Sequence, residues 1–165
     1  MAIRAKVLQD GLIAGLLGAA GVAMWFLAVD TFEGKAFFTP EFLGRALFGV
    51  LGRGIENHDA TYFVVAYTLF HVVAFIGLGI VASMLITATG KAPQFMAGMA
   101  LFFVVFEVGF YFLALMLSSA NVLGSLAWYQ VGAANLVASG LMGGFLLKRH
   151  PEFAGNLTHA LDGSS

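Results

Sequence analysis

Charged residues in this chain gather at the ends of long apolar runs. No Asp, Glu, Lys or Arg lies between Asp10 and Asp30, which leaves nineteen uncharged positions. At about 1.5 Å per helical residue, that is enough for one bilayer crossing. A second uncharged run extends from Ala60 to Gly90. A third, Phe95 to Leu117, is interrupted only by Glu107. A fourth runs from about Val122 to Leu147 and stops at Lys148-Arg149-His150-Pro151. The pattern predicts membrane helices over about 11–29, 61–87, 94–117 and 122–147, with a tail over 148–165. Ser118-Ser119-Ala120-Asn121 is the expected tight turn before the last of them.

The loop after the first run has a pattern of its own. Thr39-Pro40-Glu41 is a helix-start signal: a hydroxyl to cap, a proline in the first turn, then an acid near the positive end of the dipole. Leu43, Ala46, Leu47, Val50 and Leu51 then recur at helical spacing, with Glu41 and Arg45 one turn apart on the other face. This helix, about 40–51, is too short to span. It is expected either to lie on the outer membrane surface or to fold over the mouth of the bundle. The expected fold is all-α: one polytopic membrane domain over 1–165, with four transmembrane helices and one external interfacial amphipathic helix.

Composition agrees with a chain that spends its length in lipid. It is 60% hydrophobic and 10% charged, with a mean hydropathy of +0.91. A soluble domain carries about a quarter charged residues. Trp25-Phe26-Leu27 ends the first run where a signal peptide would need small residues for cleavage, so that helix is expected to be retained. Lys and Arg set the orientation. An N-in chain puts Arg4, Lys6, Lys91, Lys148 and Arg149 on the cytoplasmic side. Lys35, Arg45 and Arg53 then lie outside, diluted by Asp30, Glu33, Glu41, Glu56 and Asp59. Both termini are expected in the cytoplasm.

Several chemistries drop out. With no cysteine, thiolate zinc sites, iron–sulfur clusters and covalent c-type haem attachment are excluded. The net charge of -1 and the lack of a basic stripe give no reason to expect nucleic acid. Gly77-Leu78-Gly79-Ile80-Val81-Ala82 matches the dinucleotide fingerprint but lies mid-membrane with no strand before it. Asn156-Leu157-Thr158 fits a glycosylation sequon on the side expected to be cytoplasmic. No metal site and no catalytic residue is expected.

Ionisable groups inside a bilayer are costly, at roughly 2.5–3.5 kcal/mol each on insertion scales, so each needs a reason. His71 and Glu107 stand at matching depth on sequential antiparallel helices. Tyr67 is one turn before His71, Tyr111 one turn after Glu107, and Gln130 and Asn135 fall at similar depth on the last helix. The six form an expected intramembrane polar cluster, which either fixes helix register or serves as a proton, quinone or ion site. His71 is also the one span histidine that a haem or chlorophyll could take as an axial ligand, although bulky Tyr67 stands where a macrocycle would want a small residue.

Helix association in lipid depends on close backbone approach. The expected packing residues are Gly11, Gly15 and Gly18 on the first helix and Gly132, Ser139 and Gly143 on the last, with Gly140/Gly144 beside them.

Thr39-Pro40 followed by Leu43-Gly44, then Tyr67, His71 and Phe75, Phe106-Glu107-Val108 and His150-Pro151 together give a resemblance. With these residues the chain resembles a group of small bacterial four-helix membrane proteins to which no function is assigned. The resemblance implies a bacterial inner membrane and transfers no active site. The expected role is a non-catalytic accessory or scaffold subunit beside larger membrane proteins, in an electron-transfer or other energy-converting complex. The partners are membrane lipid and either such a complex or further copies of the chain. The alternative is a small transporter or channel with His71 and Glu107 on its path.

Overall fold

The computed structural model describes residues 2–52, 58–89 and 128–151. These form four helices: α1 (Ala2–Phe32), α2 (Phe38–Val50), α3 (Ala60–Thr89) and α4 (Trp128–Arg149). Three of them, α1, α3 and α4, are long and apolar enough to cross a membrane. The helix expected over 94–117, the first residues of the one expected from 122, and the tail from 152 onward lie outside the described residues.

The faces these helices leave uncovered belong in hydrocarbon. Leu12, Leu16 and Met24 on α1, Leu69 and Val73 on α3, and Leu136 and Leu141 on α4 are all exposed, Met24 to 71%. In water such faces would form one continuous sticky surface; in lipid they meet their own kind. This is a helical membrane protein.

The first helix is the element that α3 and α4 pack against. Gly11 lies against Ile80 and Gly15 against Phe75 and Ile76, so α3 runs antiparallel to α1. Gly18 lies against Met142 and Gly21 against Leu141 and Val137, so α4 is antiparallel to α1 as well. The helices α3 and α4 therefore run in the same direction. Small residues line the seams: Ala14 and Ala19 on α1, Ala82 on α3, and Ala134 and Ala138 on α4 are all buried.

One seam is closed at the level of the backbone. A Cβ on Gly79 would meet the Gly11 carbonyl oxygen directly and the Gly15 nitrogen at 2.5 Å. A Cβ on Gly11 would lie 2.5 Å from the Ile80 Cα. No side chain can yield there, because the neighbours are main chain.

The helix α1 extends ahead of the span expected from residue 11, beginning at Ala2, and Asp10 within it does not sit in water. It is fully buried, and its Oδ1 accepts a hydrogen bond from Arg149 Nε at 3.1 Å. His150 Nε2 stands 3.7 Å from the other carboxylate oxygen. The start of α1 and the end of α4 are thus clasped at one end of the bundle.

At the other end, α1 stops in a Schellman turn. Lys35 N–H donates to the Asp30 carbonyl and Gly34 N–H to the Thr31 carbonyl, with Gly34 at φ 73°. Such a φ strains any residue with a Cβ, and glycine adopts it freely. The chain then turns into α2, whose start also departs from expectation. Thr39 is not its cap: the helix begins at Phe38, after Phe37 at φ 67°. Asp30 supplies the cap from across the turn, accepting from Thr39 N–H and Thr39 Oγ1, each at 2.7 Å. The remaining first-turn donors are also accounted for. Phe38 N–H reaches the Lys35 carbonyl, Pro40 has no N–H, and Glu41 N–H reaches the Phe37 carbonyl.

The helix α2 rests on the start of α3. Leu43 and Gly44 are buried, and a Cβ on Gly44 would strike the Phe63 carbonyl oxygen. The Glu41–Arg45 pair forms at 2.9 Å, but Arg45 also lies over the Phe63 ring, 4.4 Å from its centroid. The charged face of α2 is therefore partly turned onto α3.

Candidate functional site: a cavity beneath α2

Helical spacing puts Tyr67, His71 and Phe75 on one face of α3. Their rings form a ladder, with centroids 5.7 Å apart for Tyr67 and His71 and 4.6 Å apart for His71 and Phe75. Phe75 is buried in the core; His71 and Tyr67 are half-buried. His71 Nε2 lies 3.3 Å from the Ala19 carbonyl oxygen of α1. That carbonyl can only accept, so His71 donates through Nε2, and a neutral ring then carries its lone pair on Nδ1. Carbonyl oxygens have two lone pairs, so Ala19 accepts this bond without leaving its own helix ladder.

Above this level α1 and α3 enclose a cavity of about 260 Å³, roofed by the start of α2. Its wall is largely hydrocarbon: Val22, Ala23, Phe26 and Leu27 from α1, Pro40 from α2 and Val64 from α3. Asp30 and Thr39 close the roof, while Tyr67, Thr68 and His71 form the α3 side. Met24, Leu27 and Phe37, all exposed, bound its opening. Most polar groups here are spent on the protein itself. Asp30 holds Thr39, Thr68 Oγ1 donates to the Val64 carbonyl at 2.7 Å, and His71 holds Ala19. Tyr67 has no hydrogen-bond partner among the described residues.

The expected polar cluster is described only in part. Tyr67 and His71 stand together, Gln130 is half-buried, and Asn135 is buried on α4. Glu107 and Tyr111 lie outside the described residues. The bond that His71 makes here goes to a backbone carbonyl. Axial ligation of a tetrapyrrole through Nε2 would have to break that bond and displace a ring flanked by Tyr67 and Phe75. Among the described residues no group of three or more His, Asp or Glu is placed to hold a metal ion.

Of the expected packing residues, Gly11 and Gly15 meet α3 and Gly18 meets Met142 of α4, whereas Ser139 is half-buried and Gly143 and Gly132 lie along α4. Gly140 and Gly144 face outward, with nothing within 4 Å of a Cβ at either position. Sequence reasoning missed Asp10, Asp30 and Gly79. Asp30 had a findable signal: Phe37, ahead of Phe38, offers no capping side chain, so α2 had to be capped from elsewhere. Gly79 was hidden in plain view inside the Gly77–Ala82 fingerprint, where its use is packing and not phosphate.

Comparison of the chain with known protein families, curated proteins and solved structures finds no match.

Proposed function

We propose that this protein is a non-catalytic membrane subunit that packs laterally against a larger membrane protein, within an electron-transfer or other energy-converting complex. The observation that carries this reading is on α4. Leu136, Gly140 and Gly144 follow one another at helical spacing on its outer face, with bare backbone accessible at both glycines. The Gly11/Gly15 pair is used inside the chain against α3. The Gly140/Gly144 pair has the same spacing and no occupant among the described residues. Small residues at that spacing are how membrane helices approach closely.

Four crossings, with both termini in the cytoplasm, accompany this reading. A fourth crossing by the apolar run 94–117, which is long enough for one, would join α3 to α4, two helices that run in the same direction. Arg4, Lys6, Lys148 and Arg149 lie at the clasped end against Lys35 and Arg45 at the other, the direction of bias that the positive-inside rule reads as cytoplasmic. The resemblance to small bacterial membrane proteins favours an inner membrane. The helix α2 then lies at the outer interface.

The test is the native mass of the species that holds the chain after extraction from its own membranes in mild detergent. The expected result is a large assembly with stoichiometric partners, which Gly140→Val/Gly144→Val disperses while the released subunit stays folded. A lone monomer or small homo-oligomer would overturn the reading and move the weight to transport, with His71 the first residue to replace.

A further inference from the structure

We infer that the cavity between α1, α2 and α3 is a binding site for one neutral membrane lipophile, an apolar chain whose carbonyl oxygen accepts the Tyr67 hydroxyl hydrogen. This goes beyond a role in lateral packing and stands or falls independently of it.

Size comes first. At a liquid share of about 30 Å³ per water, 260 Å³ corresponds to roughly nine waters. The cavity opens to the side between exposed residues, so it is a cleft that a guest can reach and not a sealed void. Its volume is close to the lower end of small-molecule sites, which are about 300–1,000 Å³. Along α3 it runs from Val64 to His71, about 11 Å at the helical rise.

The lining selects the occupant. Water in so apolar a space would lack the two to four polar partners it needs. Hydrocarbon fits, and the exposed Met24, Leu27 and Phe37 at the opening give it a lateral way in from the bilayer. A charged head finds nothing to hold it. The lining contains no Lys or Arg for an anion, and both oxygens of its one carboxylate, Asp30, already serve Thr39. What remains is the hydroxyl of Tyr67, a donor with no partner among the described residues. An acceptor on the uncharged part of a lipophile satisfies it, any charged headgroup staying outside the cavity, and a carbonyl is the simplest. Such a carbonyl could be the ester of a bilayer phospholipid or the ring carbonyl of a quinone.

Two photoreactive probes distinguish these sources: a phosphatidylcholine with a diazirine in one acyl chain, and an alkyl benzoquinone with a diazirine in its tail. Each is added to the delipidated full chain in detergent, illuminated, and mapped by peptide mass spectrometry. Labelling should concentrate on residues 22–30 and 64–71. Ala23→Phe, which fills the cavity from an exposed position, should abolish labelling there and leave it elsewhere. Tyr67→Phe keeps the shape and should weaken apparent affinity about fivefold, the worth of one hydrogen bond. Labelling by the phospholipid alone assigns a bilayer lipid, by the benzoquinone alone a quinone, and by both the shared carbonyl chemistry. Label spread evenly over outward residues such as Leu12 and Val73, unchanged in Ala23→Phe, would overturn the proposal, as would an unaltered affinity in Tyr67→Phe.

Discussion

At Gly11 and Gly15, α1 lies against Gly79 of α3 with no side chain between the two backbones; from Val22 to Asp30, facing Tyr67 and His71, the same helices enclose a cavity. In one region contact is as close as main chains allow. In the other, large rings and a roof of α2 leave room. Hydrophobic burial gains little between helices in lipid, so the glycine seam is where this pair gains its stability through dispersion and close approach. The wide end is released from that duty. Its polar groups hold one another in place, and the space they frame is available to a guest.

The largest expected effect comes from closing the gap that glycine leaves. Gly79→Ala puts a methyl into the backbone of α1, where nothing can rotate away, and should cost about 3 kcal/mol, at the upper end of ordinary overpacking. Gly79→Val should leave no monodisperse species in detergent. Gly140→Ala, on the outer face, should leave thermal unfolding of the isolated chain unchanged. Equal effects of the two alanine variants would erase the contrast between a used and an unused glycine.

A second test loosens the tight region at its end. Arg149→Ala leaves the fully buried Asp10 carboxylate with only His150, 3.7 Å from its other oxygen, so its cost should reach about 1–3 kcal/mol. Asp10→Asn should cost less, because Arg149 keeps 46% of its side chain exposed and can turn to water. The double variant should recover most of the Arg149→Ala loss. Thermal unfolding of the three variants checks the order, and a larger cost for Asp10→Asn would contradict it.

The smallest effect belongs to the wide end. Asp30→Ala removes both Thr39 bonds and with them the only side-chain cap of α2 among the described residues, at about 1 kcal/mol. Amide exchange should speed up over 38–50 while the Gly11–Gly79 seam keeps its protection. Faster exchange at both ends would mean that the regions are not separable.

Those same residues show what was legible in the sequence. Bilayer thickness sets the length of an apolar run, so α1, α3 and α4 stand out without any knowledge of contacts. The recurrence of Leu43, Ala46 and Leu47 likewise announces α2. Charge at the end of a run is ambiguous in a way that hydrophobicity is not. Asp10 and Asp30 look like solvated flanks until Arg149, far along the chain, or Thr39, across a turn, is brought beside them. The Thr39-Pro40 signal marked a helix start correctly but named the wrong cap, since a local pattern cannot show a carboxylate arriving from a neighbouring helix. Glycines show the same limit. Gly11 and Gly140 each open a GxxxG pair, and only the fold reveals that one meets α3 and the other meets nothing described. The cavity left no trace in the sequence, because it is a space made by the docking of α2.

The clasp between Asp10 and Arg149 also has a consequence in time. The two residues are 139 positions apart, so at about 5–20 residues per second the ribosome makes the arginine roughly 7–28 s after the aspartate. During that interval the Asp10 carboxylate has no arginine to hold it. The glycine seam with α3 can form before then. The Asp10 end of α1 gains its arginine only when the last helix brings its basic end alongside, so a chain released early would carry an unfastened N-terminal end. The clasp thus makes completion of synthesis a condition of final assembly.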